Sequence, residues 1–137
     1  KPLPEKIISK DPEGFWRLKC FNQTGGDNPF LKEALAEYLA AFKKPEVIHS
    51  SCEDYRAAAS IDIEHDNKDK KKLIMPILAL WAKRGVIETC FDALKLWRQR
   101  ADQVEGEPIN ATHYMAEEIP EEVAKRMSEF FSSSIKK

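Results

Sequence analysis

The chain has 137 residues, 42% of them hydrophobic and 33% charged, which fits one folded domain rather than a disordered segment. Its 22 basic and 23 acidic side chains leave a net charge of −1, so there is no basic footprint for nucleic acid. No apolar run approaches the roughly 20 residues of a membrane-spanning helix, and five glycines with eight prolines exclude collagen-like and low-complexity classes.

The chain opens Lys1-Pro2-Leu3-Pro4-Glu5-Lys6, with neither an initiating methionine nor a signal-peptide pattern. It therefore reads as starting inside a longer sequence. Cys20, Cys52 and Cys90 are odd in number and widely spaced, which suggests neither a disulfide framework nor a zinc site. Free thiols fit a reducing compartment, and a cytoplasmic location is expected. His49, Cys52 and Glu53 form one short cluster with too few ligands for a metal, and no cofactor is expected.

The first predicted helix covers residues 11–20, with Asp11 as N-cap, Pro12 at the first helical position and Phe15, Leu18 and Cys20 as a ragged apolar face. Thr24-Gly25-Gly26-Asp27-Asn28-Pro29 is a turn. Leu31, Leu35, Tyr38, Leu39 and Phe42 then recur at helical spacing. A further helix runs from about residue 45 to 61, and residues 67–72 read as a solvated charge run. At Leu73 the period changes. Residues 73–81 are continuously apolar, as suits a strand buried on both faces, with pairing from Ile77 because Pro76 fits only a strand's start. A helix over residues 91–101 with Phe91, Leu94 and Trp97 on one side, a short strand near 107–110 and a last helix opened by Ile119-Pro120 complete the order. In that last helix Met127, Phe130 and Phe131 are expected to face inward. The class is α/β, yet two parallel strands make no viable sheet by themselves. A partner is expected: a missing part of the protein, or a second copy through the exposed sheet edge.

His113 follows the last strand and precedes the last helix. Imidazole in such a loop can act as a general base near neutral pH. The blocks Cys52-Glu53-Asp54-Tyr55-Arg56, Ile63-Glu64-His65-Asp66, Pro76-Ile77-Leu78-Ala79-Leu80-Trp81, Leu96-Trp97-Arg98 and the segment around His113 resemble, in order and spacing, the haloacetate (fluoroacetate) dehalogenases of the α/β-hydrolase superfamily. The resemblance covers nearly all of this chain but only the C-terminal part of a family member. It implies a helical cap portion over residues 1–67 and the C-terminal part of the hydrolase core, with the last two strands, over residues 68–137. It implies that His113 activates the water that hydrolyses an aspartyl ester, and that Tyr55 helps bind the departing halide of a small haloacid substrate.

The nucleophile-bearing half is expected to lie elsewhere. A nucleophile elbow needs glycines four positions apart, and Gly14, Gly25, Gly26, Gly85 and Gly106 supply no such pair. Glu88 sits where some other α/β-hydrolases place their acid. Three positions depart from the family pattern: Thr112 and Ala82 where glycine is usual, and Ala116 where proline is common. Two other readings stand beside the dehalogenase: an epoxide hydrolase-like or other α/β-hydrolase, and a non-catalytic fragment of a split or decayed gene.

Overall fold

A computed structural model describes residues 2–69 and 71–134. The chain divides into two compact units, residues 1–70 and 71–137.

The first unit is helical. It contains α1 (Leu3–Ile8), α2 (Pro12–Asn22), α3 (Lys32–Phe42), α4 (Pro45–Ala58) and α5 (Ile61–Lys68). Asp11 caps α2, accepting the Gly14 N–H at 2.9 Å, and α4 begins on Pro45, where a missing N–H is harmless. Ile8, Ile48 and Cys52 form a buried cluster with Phe42 packed against it. Full burial of a side chain such as Ile48 contributes about 1.5–3 kcal/mol. A second, aromatic cluster joins Trp16, Phe21, Phe30 and Tyr38, with Phe30 edge-on to Tyr38 at 5.7 Å. The expected helix ending near residue 61 stops at Ala58, where the Ser60 hydroxyl bonds back to the Arg56 carbonyl at 2.7 Å. The chain then starts α5, which reaches into the expected charge run. Its sequence, Ile-Asp-Ile-Glu-His-Asp-Asn-Lys, carries no helical stripe, and none of it is buried. α1 likewise goes beyond the sequence reading.

The second unit is built on two strands, β1 (Ile77–Ala82) and β2 (Val104–Ile109), paired in parallel with Ile77 opposite Val104 and Ala82 opposite Ile109. The crossover runs through α6 (Val86–Cys90) and α7 (Ala93–Arg98), and α8 (Met115–Glu118) and α9 (Pro120–Ser134) follow β2. The strand signal at Ile77 holds. Leu73 adds only an isolated bridge to Ala101, as the proline between them requires.

Three expectations are corrected. The helix expected over residues 91–101 is shorter, α7 alone (Ala93–Arg98), because Phe91 is extended after α6 and Asp92 caps α7 through the Lys95 N–H at 3.0 Å. Within α7 Ala93 is buried, whereas Phe91 before it and Trp97 on it are exposed. β1 is not enclosed on both faces: Ala79 and Ala82 are buried while Ile77, Leu78, Leu80 and Trp81 are half-buried. On α9, Met127 and Phe131 are exposed and Phe130 is half-buried. The last two share a reason. Two strands about 4.8 Å apart are narrower than a helix of roughly 10 Å, so they cannot cover a helix face.

Gly106 is the tightest point of the sheet. Its φ is +156° and a Cβ there would lie 1.8 Å from the Ala79 carbonyl oxygen. Because that neighbour is backbone, the strands themselves must part to admit a side chain. Gly106→Ala is expected to destabilise the second unit by about 3 kcal/mol or more, read as a lowered urea midpoint.

Candidate functional site

His113 owes its place to the end of β2. Ile109 is 2% exposed and Ala111 is fully buried, so the chain is anchored up to the residue before Thr112. It then turns into α8, leaving His113 exposed with its ring edge-on to Tyr114, centroids 4.9 Å apart at 85°. No non-glycine among the described residues has a positive φ. Thr112 thus stands before the histidine in ordinary backbone geometry, and the departure from glycine brings no strain there. The Glu88 carboxylate accepts the Trp81 indole N–H at 2.6 Å, an exposed bond that joins α6 to β1.

Tyr55 lies in the first unit, on α4, and is 63% exposed. It lines a cavity of about 440 Å³ with Ile8, Phe15, Lys19, Phe42 and Cys52. The Lys19 ammonium stands 5.1 Å from the centre of the Tyr55 ring, a cation–π distance. Among the described residues the Tyr55 hydroxyl has no hydrogen-bond partner. The cavity thus brings a phenol and an ammonium together against a largely apolar lining. Lys19 was absent from the sequence reading, since it lies on α2 and Tyr55 on α4, with α3 between them in the chain.

Beside this cavity, Arg56 organises the acidic groups. Its guanidinium donates to both oxygens of Glu5, at 2.6 and 2.9 Å, and to Glu53 at 2.6 Å, tying α1 to α4. His49 Nδ1 is 3.6 Å from the same Glu5 carboxylate. Glu5, His49 and Glu53 bring one ligand atom each within 4.8 Å of one another. With an arginine already bidentate on Glu5, this is an ion-pair network rather than a cation cage. Glu53 and Arg56 are i,i+3 neighbours on one helix, whereas the reach to Glu5 spans 51 residues and has no local pattern.

The Arg56 hydrogen bonds hold the Glu5 carboxyl down at about 2, against an ordinary 4.5. The unfolded chain then binds that proton more tightly than the folded one, so the contribution is complete above pH 4.5 and lost as pH falls toward 2. Glu5→Gln is expected to flatten the acid-side loss of stability across that window, measured as urea midpoints at a series of pH values.

No family model matches the chain. It is 32% identical over 136 residues to a fluoroacetate dehalogenase from Burkholderia sp.. It is 31% identical over 129 residues to a soluble epoxide hydrolase from Corynebacterium sp. strain C12. These alignments take in 97% and 92% of this chain and 44% of each relative. Among solved structures, a candidate α/β-hydrolase from Nostoc sp. PCC 7120 superposes with a TM-score of 0.90 at 44% identity, over 96% of this chain and 45% of that one. The chain thus spans less than half the length of the curated relatives it matches.

Proposed function

We infer, for a chain that has the fold of the C-terminal portion of an α/β-hydrolase, a part in the hydrolytic removal of halide from a small haloacid through an aspartyl ester. The observation that carries this reading is the exposed His113 on the turn after β2, in a chain similar over nearly its whole length to a fluoroacetate dehalogenase. Residues 1–67 serve as cap portion and 68–137 as core portion. A carboxylate nucleophile, supplied by the part of the protein outside these 137 residues, displaces halide: a C–O bond forms as the carbon–halogen bond breaks. His113 then takes a proton from water, the resulting hydroxide attacks the ester carbonyl, and the hydroxy acid leaves with the carboxylate restored. Tyr55 donates a hydrogen bond to the halide as its charge develops, and Lys19 beside it adds positive potential.

In an enzyme completed with its nucleophile-bearing part, His113→Ala is expected to stop after one event and accumulate the covalent ester, visible as a mass increment on the intact protein. Tyr55→Phe is expected to slow ester formation instead, by about 10²–10³ where donors to developing anions have been removed elsewhere, and more for fluoride than for chloride. Sustained turnover without His113 overturns the reading. The similarity to an epoxide hydrolase supports a second one, in which the Tyr55 hydroxyl polarises an epoxide oxygen. Turnover of epoxides but not haloacids would select it. Absence of any hydrolysis in the completed protein would leave the non-catalytic fragment.

The composition of the two strands supports one place for the remainder to join. β2 carries Glu105, Glu107 and Pro108, residues that suit an outer strand, whereas β1 reads Ile-Leu-Ala-Leu-Trp-Ala without a charge. Among the described residues β1 pairs only with β2, so its second edge is the one that takes another strand. Sedimentation of the 137-residue chain alone is expected to show self-association, and addition of the missing part is expected to dissolve it; a stable compact monomer would contradict this.

A further inference from the structure

The turn that presents His113 is tied down by a side chain from beyond it. Glu118, the last residue of α8, turns its carboxylate back onto Thr112: the Thr112 amide lies 2.9 Å from Oε2 and 3.2 Å from Oε1, and the Thr112 hydroxyl donates to Oε1. That carboxylate is only 15% exposed, and the Arg84 guanidinium, on the turn after β1, stands 3.8 Å from Oε2. The backbone repeats the connection. Lys83 N–H donates to the Ile109 carbonyl at 2.7 Å and Arg84 N–H to the Ala111 carbonyl at 3.1 Å.

We propose that Glu118, with Thr112 and Arg84, is a positioning group for His113, a role that rests on His113 being the general base. The carboxylate does not act on the substrate; it fixes the residue immediately before the histidine. A turn between a strand and a helix ordinarily belongs to the least stable parts of a fold. Bonds to an ionised acceptor are about twice as strong as neutral ones, and here both donors of Thr112 end on one. The threonine adds to this what glycine lacks, a second donor on a stiff, β-branched side chain. Its presence before His113 is then a different way of holding the same turn. Such holding matters because a base misplaced by about 1 Å can lose roughly a hundredfold in rate.

The test uses the completed enzyme, with amide exchange at Thr112 and the rates of ester formation and ester hydrolysis as readouts. Glu118→Ala and Thr112→Val are each expected to raise Thr112 exchange by about tenfold or more. Each is also expected to slow ester hydrolysis by at least about tenfold while ester formation stays as it was, so that the covalent ester builds up. Thr112→Ser, which keeps the hydroxyl, is expected to recover most of what Thr112→Val loses. A merely structural defect would slow both steps together, and would overturn the proposal. So would unchanged exchange, or faster exchange with unchanged hydrolysis. If Glu118→Ala does not fold, Thr112→Val against Thr112→Ser decides alone. Should His113→Ala retain turnover, the base assignment fails, and the positioning role built on it fails too; unchanged hydrolysis in Thr112→Val beside a dead His113→Ala condemns the positioning role only.

Discussion

The parallel pairing of β1 with β2 is the constraint from which the second unit follows. Six residues on each strand run in register, from Ile77 opposite Val104 to Ala82 opposite Ile109, and the pairing requires the backbone at Gly106 to approach Ala79 without an intervening Cβ. Parallel strands finish at the same end of a sheet, unlike the two arms of a hairpin. The turns after β1 and β2 are therefore neighbours, and the backbone continues the ladder into them through Lys83 and Arg84. His113 is reached from a platform of buried Ile109 and Ala111. Without the crossover through α6 and α7, Arg84 and Glu118 would have no reason to meet.

The first unit is organised by a different balance. Its apolar clusters are small: Ile8, Ile48 and Cys52 in one, four aromatic rings in another. Ion pairs complete the joints between helices. Arg56 holds α1 on α4, and Glu13 reaches both Arg17 and, at 2.8 Å, Lys43, joining α2 to the end of α3. Exposed pairs of the second kind contribute little each, being screened by solvent. Their effect is to fix which helix faces line the cavity beside Tyr55. The same α4 thus carries Cys52 into the core, Arg56 into the ion-pair network and Tyr55 to the cavity, since residues three and four apart share neighbouring faces of a helix.

Both units leave apolar surface uncovered. Ile74, Leu96, Met127 and Phe131 in the second unit, and Leu18, Leu31 and Ile63 in the first, are all more than 40% exposed. Single exposed apolar residues are ordinary, but a helix of fifteen residues against a two-stranded sheet is not covered on its inner face. This agrees with a chain that spans 44% of its relatives.

Sequence by itself determined the local features. Asp11-Pro12 started α2, the helical spacing of Leu31, Leu35, Tyr38, Leu39 and Phe42 marked α3, Pro45 opened α4 and the change to an uninterrupted apolar run located β1. Each is a short-range preference of backbone or periodicity, and each survives in the structure. The block around Tyr55 and the turn at His113 were legible as a resemblance. Tertiary structure decided the rest. α5 has no apolar stripe, so nothing in its periodicity announced it. Burial on α9 depended on how wide the sheet is, which no local pattern encodes. The contact of Arg56 with Glu5, the place of Lys19 over Tyr55 and the clasp of Glu118 on Thr112 join residues whose meeting depends on how separate elements turn and pack. Identity and spacing specify what a side chain can bond; only packing specifies which partner arrives within 3 Å.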